Sequence, residues 1–167
     1  MKALQLDYID SPIGTIVIVV DDGRLCSLDY TDHEARMMTL LQRRYGPVDL
    51  VPTADPSSFS SRIRAYLAGD HSSLDAIPVS TEGTAFQQEV WSALRGIPPG
   101  TTMSYGALAK QLGRPAAPRA VGSANALNPI SLVIPCHRLI GANASLTGYG
   151  GGLERKRWLL KHEGVCL

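Results

Sequence analysis

Aromatic residues make up only 6% of this 167-residue chain, and cysteine occurs three times, at positions 26, 136 and 166. Three widely spaced cysteines form no even disulfide framework and no CxxC pair, so a reducing, cytoplasmic setting is expected. Cys26, His33 and His71 likewise lack the local spacing of zinc ligands, and no metal is expected. Long apolar runs are missing as well. No segment approaches the ~20 apolar residues of a membrane helix, and Met1 to Asp7 lack the apolar stretch of a signal peptide, so a soluble protein with no membrane partner is expected. Nor does one sign of charge dominate the whole chain, whose formal net charge is +1. The halves differ, however: residues 1–80 hold 7 Lys/Arg against 11 Asp/Glu, a net of −4, and residues 81–167 hold 9 against 4, a net of +5. That asymmetry marks two domains, 1–80 including a linker from about residue 70, and 81–167. The basic half suits a nucleic-acid partner, since phosphate contacts supply much of such affinity.

The first 80 residues read as α/β. Leu4, Leu6 and Tyr8 alternate with polar residues, 15–20 is a β-branched apolar run, and Cys26, Leu28 and Tyr30 share a face. Turn residues Asp10-Ser11-Pro12-Ile13-Gly14 and Asp21-Asp22-Gly23 lie between them, which predicts an antiparallel meander. Thr31 and Glu34 have the spacing of a capping box, opening a helix through Met37, Leu40 and Leu41. Asp55 as cap and Pro56 as first helical residue predict a second helix through Phe59, Ile63, Tyr66 and Leu67. Nothing in this half suggests chemistry.

Chemistry gathers in the second, mostly helical half. Thr84 and Gln87 form another capping box ahead of a helix with Phe86, Val90, Trp91 and Leu94 on its core face. Ser104 caps a short helix over 105–112, and Arg114-Pro115 turns the chain into another over 116–126, a helix-turn-helix pattern. On that second helix Arg119 is a single long cation among Ala116, Ala117, Ala120, Gly122, Ser123 and Ala124. Such a face can approach another surface closely and insert one arginine. The apolar run 131–134 then reads as a strand delivering Pro135-Cys136-His137-Arg138. A thiol attacks only as thiolate, with an ordinary pKa of about 8.5, and His137 and Arg138 are residue types that lower it. A buried small hydrophobe is the competing reading of Cys136. In the last turn of a final helix over 153–163, the Glu163 carboxylate opposes the helix dipole unless it faces a partner such as His137. Glu163, His137 and Cys136 would then be orienter, base and nucleophile.

Together, Pro135-Cys136-His137-Arg138, Ser104-Tyr105-Gly106, Arg119-Ala120-Val121-Gly122, Asn128-Pro129, Thr147-Gly148-Tyr149 and 159–164 closely resemble the O6-alkylguanine-DNA alkyltransferases. These are the methylated-DNA–protein-cysteine methyltransferases of direct-reversal repair. The resemblance implies a ribonuclease H-like first domain, with a small antiparallel sheet and helices, and a second, mostly α domain that binds DNA through its helix-turn-helix and accepts the alkyl group. It implies double-stranded alkylated DNA as partner, no cofactor, and a monomer, with cooperative assembly on DNA left open. By the same resemblance, Cys136 attacks the O6-alkyl carbon of a flipped guanine, or the O4-alkyl carbon of thymine. His137 takes the thiol proton through a water, Glu163 orients His137, Asn128 braces the turn, and Tyr105 donates to guanine N3. Arg119 fills the vacated place in the stack, with Ser104, Ala116, Ala120 and Ser123 on the minor-groove face. Tyr149, the Gly150 N–H and the carbonyls of Cys136 and Leu139 cradle the base. The product is a thioether with no carbonyl for water to attack, so each molecule acts once. Pro118 is tolerable only in a first helical turn, which moves the start of the arginine-bearing helix later. Ser131, a proline in some relatives, implies a roomier site. A lesion-recognition protein without transfer and a cysteine hydrolase using the same three residues are the other classes left standing.

Overall fold

The computed structural model describes residues 1–141, 146 and 148–167. By its internal packing the chain divides into two compact units, Met1–Glu82 and Gly83–Leu167.

The first unit is built on β1 (Lys2–Ile9), β2 (Ile16–Asp21) and β3 (Arg24–Tyr30), an antiparallel meander. A fourth strand, β4 (Val48–Pro52), lies parallel to β1 and gives a mixed sheet of order β3-β2-β1-β4. The sheet is therefore not purely antiparallel as expected. β4 is five residues long, begins just after Gly46-Pro47 and ends at Pro52, which suits an edge position. Helix α1 (Glu34–Tyr45) covers one face, where Leu4, Leu6, Val17, Val19, Cys26, Met37 and Leu41 form a closed apolar cluster. Each such aliphatic side chain contributes roughly 1.5–3 kcal/mol on burial, and Ile9, Ile16, Ile18, Leu28, Phe59 and Ile63 are buried in this unit as well.

The expected capping box at α1 is not made: Thr31–His33 is a tight 3-10 turn with no side-chain cap. The Glu34 carboxylate accepts instead from the Tyr8 hydroxyl of β1 (2.9 Å), which removes it from the helix start. Helix α2 (Phe59–Leu67) begins three residues later than expected, because Asp55, Ser57 and Ser58 adopt left-handed backbone geometry around a 3-10 turn over Pro56–Ser58. Asp55 still serves the helix start, accepting from the Ser61 N–H (2.9 Å). From β1, Asp7 docks the same end by accepting from Ser60 Oγ (2.6 Å) and the Asp55 N–H (3.1 Å). The chain after α2 stays on this unit. Leu25 donates to Pro78 O and accepts from the Ser80 N–H (both 2.9 Å), and Arg44 Nη1 donates to Ser80 O (2.8 Å).

The second unit contains α3 (Ala85–Leu94), β5 (Met103–Ser104), α4 (Tyr105–Gln111), α5 (Pro118–Ala126), β6 (Leu139–Ile140) and α6 (Leu153–His162). At α3 the capping box is complete: Thr84 Oγ1 accepts from the Gln87 N–H (3.1 Å) and Gln87 Oε1 from the Thr84 N–H (2.9 Å). Ser104 caps α4 by accepting from the Ala107 N–H (3.0 Å). Helix α5 starts at Pro118, in the first-turn position where proline's missing N–H costs nothing, so Ala116 and Ala117 precede it. Trp91 Nε1 donates to the Ala124 carbonyl (2.8 Å) and pins α5 onto α3. Among the described residues no helix is long and apolar enough to cross a membrane.

Gly83 opens this unit at φ +140°, and a Cβ placed there would lie 2.7 Å from Gln87 Oε1 and 2.9 Å from the Trp91 ring. Gly83→Ala should therefore cost about 1–3 kcal/mol in urea unfolding, through backbone strain and displacement of the Trp91 anchor. A change under about 0.5 kcal/mol would show that neither contact constrains the position.

Candidate active site

The segment that presents Cys136 is a buried turn and not the strand that its apolar run 131–134 suggests. Asn128 causes the difference. Its Oδ1 accepts from the Ile130 N–H (2.9 Å) and its Nδ2 donates to the Ile134 carbonyl (2.8 Å), using backbone groups that a strand would offer to a neighbour. The loop closes on itself through Ile134 N–H to Ile130 O (3.0 Å) and Val133 N–H to Ser131 O (2.9 Å). Leu132 is held at φ +72°, a left-handed conformation that a bulky residue rarely takes. Cys136–Arg138 follow as a 3-10 turn, and β6 pairs in parallel with β5, placing Leu139, which closes that turn, opposite Met103 and Ile140 opposite Ser104.

Cys136 is 3% exposed, and His137 and its partners are enclosed. His137 Nε2 lies 2.8 Å from Glu163 Oε2. Arg138 grips both oxygens of the same carboxylate, Nε to Oε1 and Nη2 to Oε2 at 2.8 Å each, and its Nη1 donates to the Ile97 carbonyl (2.7 Å). Burial alone would raise the Glu163 pKa, but hydrogen bonds from Arg138 and His137 outweigh it and hold the carboxyl well below the usual carboxylate range. Burial also lowers the His137 pKa, against the opposing pull of Glu163, so the imidazole is neutral at pH 7. A neutral ring facing an ionised carboxylate must carry its proton on Nε2. The lone pair is then on Nδ1, which is buried and has no hydrogen-bond partner among the described residues. That nitrogen is an available acceptor on the residue that directly follows Cys136.

The other expected residues fall in two groups. Near the nucleophile, the Tyr149 ring stands edge-on to His137 at 6.5 Å between centroids. The Tyr105 ring lies against Gly122 of α5, and its hydroxyl is close to Gly148. Gly150 is in the exposed turn that follows Tyr149, while Thr147 lies outside the described residues. The carbonyls of Cys136 and Leu139 are both engaged. Cys136 O accepts from the Leu139 N–H and from Asn125 Nδ2 (3.3 Å), and Leu139 O accepts from Lys156 Nζ (2.6 Å). On the exposed side, Arg119, Ala120 and Ser123 lie on α5, with Ala116 exposed on the turn before it and Ser104 half-buried at the cap of α4.

Two residues of the site, Asn125 and Lys156, were not expected from the sequence, and a third was expected in another role. Arg138 was expected to act on the thiol, yet it serves Glu163. Asn125 gave no signal in a helix of small residues. Lys156 sits within Arg155-Lys156-Arg157, which reads as a solvated basic face; only its place three residues before Leu159 on the core side of α6 could have exposed it. It is fully buried, its Nζ also donates to Gly148 O (3.3 Å), and burial lowers its pKa to about 8, against the opposing influence of a Cys136 thiolate.

Because Glu163 titrates lower folded than unfolded, its stabilisation is full above its unfolded pKa of about 4.3 and fades as pH falls below that value. Glu163→Gln leaves Arg138 buried without its counter-charge and should cost about 3 kcal/mol at pH 7. The gap between native protein and variant should narrow steadily in denaturation series taken from about pH 5 down to pH 3. A gap that does not change with pH would mean Glu163 is not ionised in the fold.

A family model described as 6-O-methylguanine DNA methyltransferase, ribonuclease-like domain, matches residues 5–81, and one described as 6-O-methylguanine DNA methyltransferase, DNA binding domain, matches residues 85–165. The chain is 46% identical over 170 residues to the methylated-DNA–protein-cysteine methyltransferase of Shigella flexneri, covering 100% of this chain and 99% of that one. Its identity to the Mycobacterium tuberculosis protein of the same name is 45% over 158 residues, covering 93% and 89%. Among solved structures it resembles Mycobacterium tuberculosis O6-methylguanine methyltransferase, with TM-score 0.78 and 39% identity over 96% of this chain and 92% of that one. Mycobacterium tuberculosis OGT in complex with DNA matches over the same shares, with TM-score 0.75. Both units are thus accounted for, and the chain belongs to the 6-O-methylguanine DNA methyltransferase family.

Proposed function

We propose that this chain repairs DNA by direct reversal, moving the alkyl group of O6-alkylguanine, and of O4-alkylthymine where present, irreversibly onto Cys136. The observation that carries the proposal is the enclosed Glu163–His137 pair, which leaves an unprotonated imidazole nitrogen on the residue next to Cys136. His137 Nδ1 takes the Cys136 proton, through a water as the family resemblance implies, and Glu163 holds the ring in that tautomer. The Lys156 cation favours the resulting thiolate, since each charge stabilises the other. The Sγ–C bond then forms as the O6–C bond breaks, and the bonding pair returns to the purine. Tyr105 donates to N3, where charge builds, and the released guanine gains a proton to balance the one the thiol lost.

Access to a base inside duplex DNA requires flipping. Residues 81–167 serve as the DNA-binding and alkyl-accepting domain, and residues 1–80 support them. The exposed face of α5 enters the minor groove, with Ala120, Ser123 and the preceding Ala116 allowing close approach, and Ser104 contacts the strand from α4. Arg119, near the start of α5, occupies the gap in the stack. Tyr149, the Gly150 N–H and the Leu139 carbonyl bound the pocket. The protein works as a monomer in the cytoplasm, needs no cofactor or metal, and each molecule is consumed once.

Intact mass after incubation with a duplex carrying one O6-methylguanine tests this reading. The expected result is one methyl-sized gain located at Cys136, no further gain with excess substrate, and none in Cys136→Ala. His137→Ala should slow transfer by about 10²–10⁴-fold. Tight lesion binding with no mass gain would replace the proposal with recognition alone, and more than one product per protein would replace it with a hydrolase.

A further inference from the structure

Asn125 lies on α5 next to Ala124, the residue that Trp91 anchors, and is 5% exposed. Its Nδ2 reaches the nucleophile's own backbone, at 3.3 Å from the Cys136 carbonyl oxygen. That oxygen also accepts the Leu139 N–H. One of these bonds closes the 3-10 turn and the other ties the turn to the helix that bears Arg119. The other end of the Asn125 amide is unsatisfied. Its Oδ1 is buried with no hydrogen-bond partner among the described residues. A buried acceptor without a donor destabilises a fold, and an apolar side chain of similar shape would remove the penalty. Packing alone therefore does not select asparagine here.

We propose that Asn125 is a positioning residue for alkyl transfer, holding the Cys136 carbonyl to α5 so that the nucleophile keeps a fixed orientation relative to the helix that meets DNA. This rests on the alkyl-transfer reading. The bond has a direction: the side chain must donate, so an ionised aspartate, with the same shape and only acceptor oxygens, cannot replace it. Leucine, with neither donor nor acceptor, removes the tether and the unpaired oxygen together. A residue retained for stability would behave in the opposite way.

The test measures melting temperature, affinity for a duplex carrying O6-methylguanine, and the single-turnover transfer rate at saturating duplex, for the native chain, Asn125→Leu and Asn125→Asp. Asn125→Leu should melt within about 2 °C of the native protein or higher, and bind the duplex within about twofold. Transfer should nevertheless slow roughly ten- to hundredfold in both variants, because misplacing the reacting atom is paid in rate. Native-like rates in either variant would overturn the proposal. So would a rate loss in Asn125→Leu matched by lost affinity or by a melting temperature several degrees lower, which marks a structural residue. If the native protein itself transfers no methyl, the failure belongs to the alkyl-transfer reading and not to Asn125.

Discussion

The second unit depends on one buried carboxylate. Glu163 closes the last helix, receives two charged hydrogen bonds from Arg138 and one from His137, and is thereby kept ionised where water cannot reach it. An unpaired charge in that position would be prohibitive, so the cysteine turn and the end of α6 must arrive together for either to be stable. Arg138 extends the set to the end of α3 through the Ile97 carbonyl. Site and core are in this sense the same object: the groups that fix the imidazole also hold α6 and the cysteine turn in place.

That arrangement also explains why a deeply enclosed cysteine need not be inert. Burial by itself raises a thiol pKa, as it does for Cys26 in the first unit, which is pushed up to about 11. Cys136 is comparably enclosed, but it neighbours a Lys156 cation whose own pKa it influences, and an imidazole kept neutral and correctly protonated. The two cysteines differ by their neighbours and not by their exposure. The turn that carries Cys136 is in turn shaped by side chains of asparagine, Asn128 from one end and Asn125 from the helix behind it.

Much of this was legible in the amino-acid order. Pro135-Cys136-His137-Arg138 and the misplaced acidic residue at 163 pointed to each other because a carboxylate at a helix C-terminus needs a reason. Thr84 and Gln87 formed the expected capping box, whereas Thr31 and Glu34, with the same spacing, did not, since a tyrosine from another strand claimed the glutamate. Local pattern cannot see such a competitor. The same limit applies to 131–134, an apolar run whose backbone is taken over by Asn128, and to β4, whose half-exposed residues carry little periodicity. Lys156 was hidden most completely, because its flanking arginines gave it the look of surface and only tertiary packing brings its ammonium to the Leu139 carbonyl.

Activation of Cys136 depends on the protonation state of one ring, and nitrogen-15 NMR of His137 reads it directly. At pH 7, in the unreacted protein, Nε2 should bear the proton and Nδ1 should show the shift of an unprotonated nitrogen, with the pattern persisting below the ordinary histidine pKa of about 6.5. A proton on Nδ1, or a fully charged imidazolium at pH 7, would leave no base beside Cys136 and contradict the mechanism built on it.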